Sequence, residues 1–358
     1  MFSGIMQTRT WRLAVLIGAL AAPNAVTAQA PLFHDVHFHL TNYVQEGTDI
    51  RAYMSMMGTK IGRSTLFGIP LQQQWSYANS GNYAPTYYLQ SDAALYYYSF
   101  TDASIAMAYK SLPAADRARL DPMITGFNPS DMYAADHIKR VLRTFPGVFT
   151  GIGEFSIHKE FVSSKIPGEV ASFRNPALDR ILDAAGEIGL VVLLHNDIDM
   201  PFPKSGQEPY LLAQMKEVFL RHPKTTIIWA HLGVGRVVRP VKDQLAIFDR
   251  LLNAPQMQHV NFDISWDETA KYIVATPDAV AATAALINRY PDRFLFGSDV
   301  VAPTSDEAQL KVYGQYAPLW AALTPDARKK VLTGNYERLF DQARTRVRAW
   351  EKANAGPK

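Results

Sequence analysis

The segment HDVHFHL, residues 34–40, carries His37 and His39 one residue apart among apolar neighbours. Further along the chain Glu154 closes GIGE, His195 closes LVVLLH, His231 closes TIIWAH and Asp299 closes FLFGSD. Imidazole and carboxylate side chains bind Zn2+ and related divalent ions at roughly 2.0–2.2 Å. Such an ion would also satisfy the polar groups themselves, each of which costs on the order of 1–3 kcal/mol if buried unpaired. Taken singly the signals are weak. An HxH pair arises by chance, Glu154 could belong to a salt bridge, and Asp299 could cap a turn. The combination carries the argument, because each of these residues follows an apolar run.

Those runs are the elements that must position the chemistry. Eight of them read as strands: 33–39, 64–70, 123–128, 148–155, 190–196, 225–231, 259–265 and 293–299. Most are continuously apolar, as strands covered on both faces should be. Residues i and i+2 of a strand share a face, so His37 and His39 are expected to point the same way. The ligand-type residues sit at C-terminal strand ends, which converge on one axis in a barrel. Glu154 to His195 is 41 residues and His195 to His231 is 36, one β-α unit each. His231 to Asp299 is 68, two units, with the seventh strand between.

Helical patterns alternate with the strands. Residues 131–145 open at a Ser-Asp cap and stop before Pro146. Residues 175–189 have Asn175 as cap, Pro176 at the first helical position and Gly189 at the end. A final helix is expected from about Asp326 to Trp350. The alternation predicts an α/β fold, a (β/α)8 TIM barrel, with a doubly wound sheet as the other arrangement of the same pattern. From roughly Gln72 to Pro113 the chain departs from it and turns tyrosine-rich. This stretch is expected as an aromatic-rich loop insertion after strand two, either surface packing or a wall over the site.

Residues 1–30 read as a signal peptide. Arg9 and Arg12 form the positive region, Leu13 to Ala22 the apolar run, and Ala25–Ala30 offers small-residue cleavage sites. The run is too short to span a bilayer. Residues 31–358 are then expected as one domain, periplasmic or secreted, with no membrane contact after cleavage. The leader holds two of the 36 Lys and Arg residues, leaving 34 against 33 acids. That balance gives no sign of a nucleic-acid partner. With no cysteine in the chain, disulfides, a thiolate nucleophile and Cys-ligated zinc are excluded. There is no G-x-S-x-G and no P-loop motif. A small-molecule substrate is expected, and homo-oligomerisation is left open.

HDVHFH, GIGEF, LLHND, WAHLG, FLFGSD and VLTGNYERLF together resemble the amidohydrolase superfamily, in its amidohydrolase-related branch of metal-dependent hydrolases and non-oxidative decarboxylases. The resemblance spans about Phe33 to Phe340. It implies a (β/α)8 barrel with His37, His39, His195 and Asp299 at the metal, and His231 as ligand or catalytic neighbour. Relatives with a carboxylate after strand four use it to bridge two metals, which would give Glu154 that role and leave the count at one ion or two. The implied chemistry is hydrolysis of an amide, ester or lactone-type bond by water activated at a divalent ion, with zinc expected. Asp299 would move the proton, and the metal with His231 would stabilise the oxyanion. Arg236, Lys159 and His158 are candidates for touching substrate. The rivals are a decarboxylase on the same barrel and a non-catalytic periplasmic metal-binding protein; no ligand position is missing, which counts against the second.

Overall fold

The computed structural model describes residues 1, 30–42, 46–69, 100–159, 172–201 and 207–355, with backbone alone for 71–73 and 95–97. The expected leader and most of the tyrosine-rich segment lie outside these residues. Of that segment, an antiparallel pair Leu71–Gln73 with Leu95–Tyr97 and a helix Phe100–Lys110 are described.

Eight strands form one parallel sheet in chain order: β1 Phe33–Asp35, β2 Ile61–Leu66, β3 Leu120–Ile124, β4 Gly151–Ser156, β5 Val191–His195, β6 Ile227–Trp229, β7 Val260–Asp263 and β8 Phe294–Leu295. The sheet curls until its ends meet. Val36 N–H donates to Phe296 O at 3.3 Å, and a two-residue strand Phe38–His39 pairs in parallel with Val300–Val301. This is the arrangement expected of a (β/α)8 barrel.

Strand periodicity sorts the side chains into two cores. In β5, Val191 and Leu193 join an inner cluster with Val36, Met123, Ile228 and Leu295. Val192 and Leu194 face the helices. The same parity sends His195 inward at the strand's C-terminal end. In β7, Val260 and Phe262 face the helices, so Asp263 points inward. β4 breaks the alternation. Its register against β5 shifts between Ile152 and Phe155, both outward-facing, and Glu154 lies in that irregularity.

The helices hold the strands apart by local rules. Pro176–Ile188 starts as expected at Asn175, whose Oδ1 accepts the Ala177 N–H, and ends at Gly189 with φ +91°. A Cβ at Gly189 would meet the Arg346 side chain at 2.5 Å, so glycine is required there twice over. Two helices differ from the sequence reading. Ala134–Thr144 begins three residues late, because Asp131 spends its carboxylate on the Tyr133 N–H in a preceding turn. The last helix is interrupted. Pro325–Lys329 passes through a π turn, Lys330–Gly334, into Asn335–Ala353.

The final helix closes the N-terminal end of the sheet. Tyr336, Leu339, Phe340 and Ala343 belong to the inner cluster. Beside them Asp121 of β3, 0% exposed, accepts from Arg63 Nη2 at 2.8 Å, Arg344 Nε at 2.6 Å and the Tyr336 hydroxyl at 3.0 Å.

Candidate metal centre

The first strand is not continuous through the HxH pair. It stops at Asp35, bends at Val36 and His37, and resumes at Phe38. The two imidazoles therefore converge through a bend and not through strand alternation. Their ring centroids are 5.3 Å apart. The bend is pinned from the β8 side, where Asp299 N–H donates to His37 O at 2.7 Å and Ala302 N–H to His39 O at 2.9 Å.

Asp299 and His231 lie past the ends of their strands, in left-handed backbone with φ +53° and +55°. Aspartate and histidine tolerate this region better than most residues; Leu232, next to His231 and also at φ +53°, is strained. Strain of this kind persists where the surroundings over-determine it, which is common at functional sites.

Six side chains meet at this end of the sheet. His37 Nε2 and His39 Nε2 lie 3.2 and 3.3 Å from the same oxygen, Asp299 Oδ1. Glu154 Oε2 lies 3.6 and 3.3 Å from the same two nitrogens. Glu154 Oε1 contacts His195 Nδ1. His231 stacks on His37 with centroids 4.7 Å apart and meets His195 at 4.6 Å. Its Nε2 is 3.8 Å from Asp299 Oδ2. Two trios result, His37–His39–Asp299 and Glu154–His195–His231, each compact enough for one ion.

A metal fits these residues on a direct test. The Nε2 atoms of His37, His195 and His231 are buried and have no hydrogen-bond partner among the described residues. Their other nitrogens are engaged. His37 Nδ1–H donates to Asp263 Oδ2 at 2.8 Å. The Ser265 hydroxyl donates to Asp263 Oδ2 at 2.7 Å and so accepts from His231 Nδ1–H at 3.1 Å. These partners fix the tautomer and leave the Nε2 lone pairs of His37 and His231 facing inward.

The charges agree. Burial opposes ionisation of Glu154 and Asp299, but neighbouring charges and hydrogen bonds outweigh it. Lys159 and His195 hold Glu154 well below the usual carboxylate range, and His37, His231 and His39 do the same for Asp299. Burial pulls His195 down to about 4, aided by Lys159, and holds His231 well below its ordinary value. His37 and His39 go the other way. Burial resists their protonation, but Asp299 and Glu154 outweigh it and raise both. Without metal, both imidazoles hold a proton more readily than a free histidine.

Asp263 and Asp35 were not anticipated as site residues. Asp263 was readable in principle: of the three expected strands without an assigned ligand, only the seventh, residues 259–265, carries a carboxylate. Asp35 stands inside the HDVHFH motif and is wholly buried; burial pushes it up to about 6 against its hydrogen bonds from Ser298, Gln309 and His37.

Two of the three candidate substrate contacts, Lys159 and Arg236, lie beside Trp266. Lys159 Nζ lies 3.6 Å from Glu154 Oε1 and 6.0 Å from the Trp266 ring. The Arg236 guanidinium lies 4.8 Å over that ring, which also meets His231 at 4.9 Å. His158 sits on Phe173, rings 5.5 Å apart, and its backbone N–H donates to Asn196 Oδ1 at 2.7 Å. Three further histidines have structural partners: His34 pairs with Glu337, His222 with Asp179 and Asp183, and His259 with Phe219 O.

The curled parallel sheet with His, Asp and Glu at its C-terminal strand ends has the architecture of a metal-dependent hydrolase. Residues 34–342 match the amidohydrolase family (Amidohydro_2), and the chain belongs to it. Among solved structures it is similar to a protein of Agrobacterium tumefaciens (12% identity, TM-score 0.51, covering 86% of this chain and 93% of that one). It is also similar to dihydroorotase from Campylobacter jejuni (14%, 0.49, 86% and 83%). A third is an amidohydrolase from Burkholderia multivorans with bound zinc (15%, 0.48, 87% and 99%). No curated protein matches.

Proposed function

We propose that this chain is an exported zinc-dependent hydrolase that cleaves an amide, ester or lactone-type bond of a small, anionic substrate on a closed (β/α)8 barrel. One observation carries the metal reading. Ligands at about 2.1 Å in tetrahedral array stand about 3.4 Å apart. Asp299 Oδ1 stands 3.2 and 3.3 Å from the two imidazole nitrogens, close to that spacing. His37, His39 and Asp299 would hold the ion, joined by His195, His231 and Glu154. Glu154 offers one oxygen to each trio, which favours two ions with Glu154 between them.

A divalent cation held here supplies positive charge that acidifies water and polarises a carbonyl oxygen. The chain supplies the rest. Asp299, held ionised, takes a proton from the attacking water on Oδ2, the oxygen turned from the paired imidazoles, and returns it to the leaving atom. His231 keeps Nε2 unprotonated, because Ser265 takes its Nδ1–H; this favours the ligand role over oxyanion donor. Arg236 and Lys159 bind the substrate's anionic group, with Trp266 holding both. A cleft of about 210 Å³ beside Asp299, lined by Trp266, Lys311 and Gln315, gives room for a small group. The leader pattern supports export to the periplasm or medium.

The same site would serve a decarboxylase, so products decide between them. The metal-stripped protein is expected to be inactive on a panel of amides, esters, lactones and phosphoesters, and zinc restores turnover without carbon dioxide release. Carbon dioxide from a carboxylated substrate would select the decarboxylase. The zinc needed for half-restoration rises as pH falls, because the metal-free site holds protons on His37 and His39 that the ion must displace. Full activity after stripping would end the metal reading.

A further inference from the structure

Asp35 makes four hydrogen bonds to groups brought from both ends of the curled sheet. Its Oδ1 accepts the backbone N–H of Ser298 at 2.8 Å and that of His37 at 3.2 Å. Its Oδ2 accepts the Ser298 hydroxyl at 2.6 Å and Gln309 Nε2 at 2.9 Å. Gln309 is itself fully buried and reaches the Tyr53 hydroxyl at 3.3 Å, which donates to Ser64 Oγ at 2.7 Å. One oxygen thus holds two backbone amides, one of a metal-site residue and one of the residue before Asp299. The approach is as close as the chain allows. A Cβ on Gly297 would lie 2.6 Å from His37 N and 3.0 Å from Asp35 Oδ1.

We infer that Asp35 is a positioning residue, which sets Asp299 against His37 and His39 by clasping the His37 and Ser298 amides with a single oxygen. The inference rests on the metal reading above. Asp299 has no strand pairing of its own; it stands four residues past β8 in left-handed backbone. Its side chain is aimed by the backbone leading into it, through Asp299 N–H to His37 O and Ser298 N–H to Asp35. Without Asp35 Oδ1 the segment before Asp299 loses its tie, leaving Asp299 N–H to His37 O and the pairing of Val300–Val301 with Phe38–His39, and the carboxylate can swing from the imidazoles.

The test compares wild type with Asp35→Ala, Asp35→Asn and Gly297→Ala, reading Zn2+ affinity by chelator competition and the visible absorption of the Co2+-loaded protein. Supporting interactions of this kind are worth about 10- to 100-fold in metal affinity. Asp35→Ala is expected to lose affinity in that range and to alter the Co2+ spectrum. Asp35→Asn keeps an oxygen for both amides, while its new NH2 meets Ser298 Oγ and the turned amide of Gln309; affinity and spectrum return toward wild type. Gly297→Ala pushes the same segments apart with Asp35 intact and should reproduce the Ala effect, which keeps the test open where Asp35→Ala does not fold. Unchanged affinity and spectrum in Gly297→Ala, or in a folded Asp35→Ala, overturn the assignment. So does an Asn variant as impaired as Ala. A wild-type protein that binds neither ion instead refutes the metal reading beneath it.

Discussion

Replacing Asp299 by Asn lowers kcat by about 10²–10⁴-fold, the range that a positioned general base contributes. The amide keeps an oxygen of the right size beside His37 Nε2 and His39 Nε2, now 3.2 and 3.3 Å away, so metal content stays near wild type. What disappears is a group able to take a proton and give it back. Wild-type Asp299 is kept ionised, because burial is outweighed by His37, His231 and His39. Steady-state kinetics on the best substrate of the panel, beside metal analysis of the same samples, checks both halves. Wild-type turnover in a metal-replete Asp299→Asn protein removes Asp299 from proton transfer.

Asp121→Ala has the largest expected effect on stability and a small one on chemistry. Asp121 is fully buried at the N-terminal end of the sheet, opposite the site, where it receives Arg63, Arg344 and the Tyr336 hydroxyl. Its removal leaves two guanidinium groups, 14% and 29% exposed, without their shared carboxylate. Breaking a buried pair from one side costs about 3–5 kcal/mol. Urea unfolding of the metal-free proteins should show a lowered midpoint at similar slope. Per folded molecule, turnover should be retained. A loss below about 1 kcal/mol, the level of surface ion pairs, would mean that the last helix is held by the apolar contacts of Tyr336 and Phe340 alone.

What the sequence shows clearly is what local rules decide. Asn175, Pro176 and Gly189 bracket their helix because capping and the left-handed stop act within a few residues. The eight apolar runs and the ligand-type residue after five of them were readable, since burial on both faces leaves polar groups few places except strand ends. The details that failed are tertiary. His37 and His39 looked like one face of a strand, but the chain bends between β1 and Phe38 because the Asp35 carboxylate and the 298–302 backbone offer it partners some 260 residues away. The Asp263 contact with His37 spans 226 residues. The final helix carries good helical residues throughout, and no local signal marks its π turn at Lys330–Gly334. The tyrosine-rich expectation between residues 72 and 113 falls mostly outside the described residues.

A crystal grown with zinc, measured across the zinc absorption edge, tests the account at its centre. The anomalous map should place a peak at about 2.0–2.2 Å from His37 Nε2, His39 Nε2 and an Asp299 oxygen, with any second peak between Glu154, His195 and His231. Zinc bound only elsewhere, or a map without signal there while those imidazoles hydrogen-bond directly to Asp299 and Glu154, would contradict it.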